Sequence, residues 1–156
     1  MCWMCDHPGS TKADYLAVMR EKMLKCGWAV QYVESDRRPF AYTIGLTRDE
    51  LPELLVTGLS PPHALELLND VARHILRNGP PEPGALIVSP DGDTAEVVEV
   101  EHPDAHLYFA VAMFDTEVKA LQLVWADGRG RLPWDADFNE GRGGQPVLGV
   151  RADWPQ

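Results

Sequence analysis

Two cysteines and a histidine stand close together at the start of the chain, in the pattern Cys2-x-x-Cys5-x-His7. Thiolates and imidazoles are the ligands that zinc and related transition metals take in proteins, and the CxxC spacing is that of many zinc half-sites. We therefore predict that these three residues bind a metal ion, zinc or another transition metal. The alternative is that both cysteines lie on a free terminus and hold nothing.

A fourth ligand for this site has to come from another part of the chain. His102 and His106 are candidates, because two residues at i and i+4 of a helix share one face, and Cys26 is another. Pro103 places His102 at or just before a helix start, where the two rings diverge, and the alternative is that both are ordinary polar residues. No Glu follows His102, so the pair is not the HExxH protease motif.

A dithiol redox pair is a second interpretation of Cys2 and Cys5. The thioredoxin arrangement places CxxC after a strand and before a helix, whereas here only a helix follows. The metal site is therefore the preferred prediction.

A second candidate site lies where glycines end two apolar strands, in TIGLT (43–47) and VTGLS (56–60). Backbone at a glycine can approach a ligand closely, and the helix start after VTGLS can bind an anion. Tight turns at the strand ends are the alternative interpretation of the two glycine segments. Anchoring of the tail to the core is the alternative interpretation of Trp125 and Trp134. The predicted pocket for a ligand or flavin-like cofactor is lined by Tyr42, Gly45, Gly58, Ser60, Trp125 and Trp134.

Other catalytic signatures are missing from the sequence. There is no GxGxxG, no P-loop and no GxSxG, so neither nucleotide binding by those motifs nor a serine hydrolase is indicated. Whether the protein is an enzyme is left open.

Composition narrows the possible partners. The chain has 156 residues, is 45% hydrophobic and 24% charged, and carries a formal net charge of −10. Such a chain is globular, and its charge argues against binding to nucleic acid or anionic membranes. The same charge suits an acidic interaction or immunity-type module with a basic protein partner. A homo-oligomer is also possible.

Targeting signals are not apparent. No stretch reaches the ~18 apolar residues of a membrane-spanning helix. The first nine residues lack the basic and apolar regions of a secretory signal, and three cysteines do not form an even disulfide set. These features predict a cytoplasmic protein.

Hydrophobic periodicity predicts the elements that position these residues. Helices are expected over 10–26, from Ser60 to Gly79, and over 103–114, where a buried strand is the alternative. Strands are expected over 28–34, 40–46, within 51–59, and over 84–89, 94–101 and 119–127, with the first two antiparallel and the third buried on both faces. We predict a single α+β domain over 1–156, a mostly antiparallel sheet with two to three helices packed on it, with a Cys/His-bearing segment (1–9) and a loop-rich tail (128–156).

Four segments of the sequence resemble one bacterial family. They are CWMCDHP, GWAVQYVESDRRPFAYTIGLT, LPELLVTGL and ALQLVWADGRGRLPWDADF, and they resemble the uncharacterised family called domain of unknown function 4262. YTIGLT followed by PELLVTGL is the most specific part of the likeness. The resemblance implies no activity, and it implies that the Cys/His element occurs in only some members. The strand-Gly-strand-helix region is also similar to flavin-binding split barrels, which is a likeness of fold alone.

Overall fold

The fold is described from a computed structural model, which describes residues 8–34, 38–90, 92–115 and 118–152. Cys2, Cys5 and His7 lie outside these ranges. The helices are α1 (Lys12–Cys26), α2 (Pro61–Asn78), α3 (Pro103–His106) and α4 (Tyr108–Phe114), and the strands are β1 (Ala29–Val33), β2 (Phe40–Ile44), β3 (Glu53–Thr57), β4 (Leu86–Val88), β5 (Thr94–Val100), β6 (Ala120–Trp125) and β7 (Gly149–Val150).

The strands form one mixed sheet in the order β1-β2-β3-β6-β5-β4, with β7 paired to β5. The pairings are antiparallel except that of β3 with β6, which is parallel. The predicted α+β fold with a mostly antiparallel sheet is therefore confirmed. Because β3 and β6 run in the same direction, their last residues, Thr57 and Trp125, lie at one edge, which we call the carboxyl edge. The opposite edge, where β2 ends and β3 begins, is the amino edge.

Hydrophobic side chains fill both faces of the sheet. One face packs against α2, whose buried residues Leu68, Val71 and Ile75 contact the inward side chains of the strands. The other face packs against α1 and α4 through residues such as Tyr15 and Ala110. β3 is buried along its whole length, as its apolar sequence predicts for a central strand.

The two long helices begin and end where the sequence indicates. Thr11 accepts a hydrogen bond from the Asp14 backbone N–H and the Asp14 side chain accepts one from the Thr11 N–H, which satisfies two of the free donors at the start of α1. α2 follows Ser60 and starts with two prolines, whose missing N–H groups cost nothing there. The Ser60 side chain makes no capping hydrogen bond.

The segment 103–114 is helical, as we expected, but it forms two short helices rather than one. Leu107 breaks the helix with φ −95° and ψ 61°, and its side chain is fully buried. His102 precedes α3 in the left-handed conformation, with φ 54°. The two histidines therefore do not occupy one face of a continuous helix. Within the described residues, no helix has the length and apolar character needed to cross a membrane.

Candidate functional site

A pocket of about 460 Å³ lies where the tail folds back on the sheet. We call it the carboxyl-edge pocket, because its lining residue Gln145 is bonded to Trp125 at the end of β6, and it extends from there to β7, which pairs with the end of β5. Its walls are mostly apolar and include one tryptophan ring, Trp134. The volume is within the range of small-molecule sites, which combine apolar walls with a few polar groups. The pocket is lined by Pro133, Trp134, Gln145, Val147, Gly149, Val150 and Arg151.

An ion pair closes one side of this pocket. Arg151 donates to both carboxylate oxygens of Glu96, from Nε at 2.8 Å and from Nη2 at 3.0 Å. Its guanidinium also lies 4.2 Å from the centre of the Trp134 ring. Glu96 is 5% exposed on β5, whereas the Arg151 side chain is 35% exposed, and the two-point geometry of the pair fixes the guanidinium. Trp134 is held against a rigid charged plane.

Two buried glutamines hold the tail on the sheet. Gln122, fully buried on β6, donates to the Pro146 carbonyl at 2.8 Å and accepts from the Leu148 N–H at 2.8 Å. Gln145 accepts from the Trp125 N–H at 2.8 Å and donates to the Trp125 carbonyl at 2.9 Å. These side-chain hydrogen bonds dock residues 145–148 on the sheet, and the following β7 then pairs with β5.

The loop that carries Trp134 is organised by Asp127. The Asp127 carboxylate accepts hydrogen bonds from the backbone N–H groups of Arg129, Arg131 and Asn139, each at 2.8–2.9 Å, and from Arg131 Nε at 2.9 Å. Partial burial alone would raise the pKa of Asp127, but these donors outweigh it and hold the pKa well below its ordinary value. The carboxylate therefore stays ionised and keeps the loop closed.

Three of the six residues predicted for a ligand pocket lie at or beside this site. Trp134 lines it, and Trp125 is bonded to the lining residue Gln145. A Cβ on Gly58 would overlap the Gly144 carbonyl oxygen, so Gly58 lets the tail approach β3. Trp125 donates from Nε1 to the Thr57 carbonyl at 2.8 Å, which fixes its ring at the same edge. Ser60 also follows β3, but it is exposed and outside the lining.

Gly45 lies at the opposite edge of the sheet, because β2 and β3 are antiparallel. It belongs to a turn that surrounds the fully buried Glu53. The Glu53 carboxylate accepts five hydrogen bonds, from the backbone N–H groups of Gly45, Leu46 and Thr47 and from the hydroxyls of Thr43 and Thr47, at 2.6–3.1 Å. Burial raises the pKa of Glu53, and the donors oppose that rise. TIGLT thus encloses a structural carboxylate.

Tyr42 is also separated from the pocket. Its ring is fully buried between β2 and α4, and its hydroxyl accepts a hydrogen bond from the Phe109 N–H at 2.9 Å. Burial raises the pKa of the Tyr42 hydroxyl above its ordinary range, although the Phe109 bond lowers it in part. This residue ties α4 to the sheet.

Of the predicted metal ligands, His102, His106 and the further candidate Cys26 are among the described residues. His102 is exposed and His106 is half-buried. Within the described ranges no three His, Cys, Asp or Glu side chains come close enough to hold a metal ion, and Cys26 is an exposed free thiol. Lys12 Nζ lies 4.5 Å from the centre of the Tyr108 ring, so the start of α1 is beside the segment that carries both histidines.

Four residues central to this site escaped the sequence analysis. Glu96 belongs to an alternating strand, TAEVVEVE, in which its acidic neighbours are indistinguishable from it by pattern. Gln122, Gln145 and Arg151 have partners 20 to 55 residues away in sequence. The one available signal was Gln122, a polar residue inside the apolar run ALQLVW, where burial demands a partner.

Comparison with known families assigns the chain but not its activity. The family model described as domain of unknown function, DUF4262, matches residues 22–139. No curated protein and no solved structure matches the chain significantly. The matched range includes all of the sheet except β7, and it leaves out Cys2, Cys5, His7 and the end of the tail with Arg151. Because the match spans more than half of its length, the chain belongs to the DUF4262 family.

Proposed function

We propose that the protein binds a small, mostly apolar, ring-containing molecule in the carboxyl-edge pocket. The observation that carries this proposal is the Trp134 ring held beside a 460 Å³ cavity by a guanidinium that is itself fixed by Glu96. A ring fixed before the ligand arrives loses little freedom on binding, so more of the stacking free energy appears as affinity. Ring-containing cofactors, flavins among them, belong to this ligand class.

The polar side chains that line this pocket are already hydrogen-bonded within the protein, which limits polar recognition of a ligand. The Gln145 amide already bonds to both backbone groups of Trp125, and Arg151 Nε and Nη2 bond to Glu96. A ligand that broke these bonds would leave buried groups unpaired, at a cost of about 1–3 kcal/mol each. The pocket therefore favours shape and apolar area over charge in its ligand.

Fluorescence titration with 8-anilinonaphthalene-1-sulfonate tests the proposal, since this probe has fused rings and responds to apolar surroundings. We expect saturable binding to one site, with Trp134→Ala weakening it at least tenfold. Val150→Gln, a change at an exposed lining residue, should weaken it without disturbing the fold. Near-ultraviolet circular dichroism must stay native throughout, because partly unfolded proteins also bind this probe.

Tyr108→Ala is the matched control, because Tyr108 is an aromatic residue, 57% exposed, away from the pocket lining. It should leave the affinity unchanged. Equal binding by the original protein and both pocket variants, or loss of binding in the Tyr108 variant alone, would show that the probe binds elsewhere and would refute the proposal.

Metal binding by Cys2, Cys5 and His7, with His102 or His106 as a further ligand, is a second candidate function. The contact between Lys12 and Tyr108 favours it. Four residues lie between His7 and Lys12, and the five steps along the chain span at most about 18 Å, so this stretch is long enough to reach the histidines. Tetrahedral zinc would suit such a mixed set of sulfur and nitrogen ligands.

Elemental analysis of protein purified without a metal-affinity tag tests the second candidate. We expect one zinc or similar ion per chain, lost in Cys2→Ser/Cys5→Ser and reduced in His102→Ala/His106→Ala. Cys26→Ser, which removes an exposed thiol, is the control and should retain the metal. Metal content far below one per chain, unchanged by the cysteine substitutions, would rule the site out.

A further inference from the structure

The strand β4 stands last in the strand order of the sheet, so its backbone pairs with β5 on one side only. This edge strand also presents apolar side chains to water. Leu86 is 63% exposed and Val88 is 67% exposed, whereas Ile87 between them packs on the core beneath α2. Exposed edge strands are usually protected by lysine, proline or a bulge, because they can pair with another strand. The sequence LIV of β4 contains no lysine and no proline, and its short length of three residues is its only protection of this kind.

Backbone groups of β4 point outward along this edge. The Ala85 carbonyl accepts from the Val97 N–H, and the Ser89 N–H donates to the Asp93 carbonyl, so these two residues face β5. In an antiparallel pair, alternate residues direct their N–H and C=O groups to opposite sides. The backbone groups of Leu86 and Val88 are therefore directed away from β5, where a further strand can pair with them.

A groove of about 620 Å³ runs along this edge between β4 and α2. Its helix wall carries Arg73, His74 and Arg77, and among the described residues that line it only Asp70 carries a carboxylate. Asp70 accepts a hydrogen bond from Arg73 at 2.6 Å. Two guanidiniums against one carboxylate give the groove a positive formal charge, within a chain whose net charge is −10. This local reversal of charge favours an acidic occupant.

We propose that this groove binds an extended acidic segment of a partner protein as an added strand beside β4. Such a strand would lie about 4.8 Å from β4, bonded to the outward groups of Leu86 and Val88. Its side chains would alternate between the two faces of the sheet. Those on the α2 face would meet Arg73 and Arg77, and those on the other face would cover Leu86 and Val88. The fitting segment therefore alternates acidic and apolar residues.

A fluorescein-labelled peptide of sequence Gly-Glu-Val-Glu-Val-Glu-Gly is the probe for this proposal. Fluorescence anisotropy at low salt should show saturable binding, and the peptide in which lysine replaces each glutamate should bind at least tenfold more weakly. Amide hydrogen exchange should slow at Leu86 and Val88 when the acidic peptide is present. That second readout distinguishes strand pairing from loose electrostatic attraction.

Two variants separate the contributions of charge and backbone. Arg73→Glu/Arg77→Glu should weaken the acidic peptide at least tenfold, whereas the matched reversal Arg20→Glu/Arg48→Glu, on α1 and on the turn after β2, should change affinity less than threefold. Val88→Pro removes one outward donor and should abolish the protection of Leu86. Circular dichroism checks that each variant is folded, and a second edge variant, Leu86→Lys, tests the apolar contact if the proline variant fails to fold.

Three results would overturn the proposal. The first is absence of binding by the acidic peptide at millimolar concentration, and the second is equal binding of the two peptides. The third is a concentration-dependent dimer in sedimentation equilibrium that Val88→Pro converts to monomer, since β4 would then pair with a second copy of this chain. None of these results bears on the carboxyl-edge pocket, whose lining residues are different.

Discussion

Glu53 holds the turn between β2 and β3 in place from inside the protein. Its carboxylate accepts two hydrogen bonds from hydroxyl groups and three from backbone N–H groups. The Thr43 hydroxyl, which donates to Glu53, also accepts a hydrogen bond from the Leu54 N–H at 2.8 Å. A buried carboxylate persists only when such donors replace water. The glycine of TIGLT is therefore part of a structural turn: a Cβ at Gly45 would lie 2.6 Å from Met23 Cγ.

Glu53→Gln should lower the free energy of unfolding by about 3 kcal/mol, because an amide NH₂ would face groups that are themselves donors. Urea denaturation followed by circular dichroism measures this loss. Glu50→Gln, an exposed neighbour in the same turn, is the control and should cost less than about 0.5 kcal/mol. Similar values for both variants would mean that the network contributes nothing specific.

Asp127 makes the stability of the protein depend on pH in the acidic range. Its pKa in the folded protein is lowered, so its contribution to stability is complete above the ordinary aspartate pKa of about 3.9 and is lost as pH falls further. We expect stability to decline below about pH 4 in the original protein, and Asp127→Asn to flatten that decline while lowering stability at neutral pH. Thermal melts at a series of pH values measure both effects. Asp49→Asn, at an exposed aspartate, should reproduce neither effect, and a decline of unchanged steepness in the Asp127 variant would contradict the assignment.

At the level of elements, the parallel pairing of β3 with β6 creates the site. It brings the ends of two strands that are far apart in sequence to one edge, where Gln122 and Gln145 dock the tail. VTGLS ends at this edge and TIGLT at the other, so the two similar glycine segments have different surroundings. One closes over Glu53, and the other lets the tail backbone approach β3.

Gly58→Ala tests the docking of the tail. Gly58 has φ +75°, and an added Cβ would overlap the Gly144 carbonyl oxygen, so we expect a loss of about 2–4 kcal/mol and a change in Trp125 fluorescence. Gly130→Ala is the matched control, since its φ of +78° is similar and nothing lies within 4 Å of the added Cβ. The control reports backbone strain alone, about 1 kcal/mol. Equal losses in the two variants would show that the tail contact adds nothing.

Across the whole molecule, local patterns predicted the elements, and long-range contacts decided the site. The amphipathic spacing of α2, its two initial prolines and the apolar centre of β3 are encoded in consecutive residues, and the predicted fold class followed from such local patterns. The parallel partner of β3 and the partners of Glu96 and Gln145 are set by contacts between residues far apart in sequence, which no short window of sequence contains. For the same reason, Trp134 could be proposed as a pocket residue while Arg151, 17 positions later in the sequence, went unnoticed.

The location of a bound ring compound tests the central claim most directly. The five tryptophans give separate indole N–H signals in a ¹H–¹⁵N NMR spectrum, assignable by single substitutions. On titration with 8-anilinonaphthalene-1-sulfonate, we predict that the Trp134 signal shifts most and saturably, with smaller changes at Trp125 and none at Trp28. A saturable shift centred on Trp28, with the Trp134 signal unmoved, would contradict the claim that the carboxyl-edge pocket is the binding site.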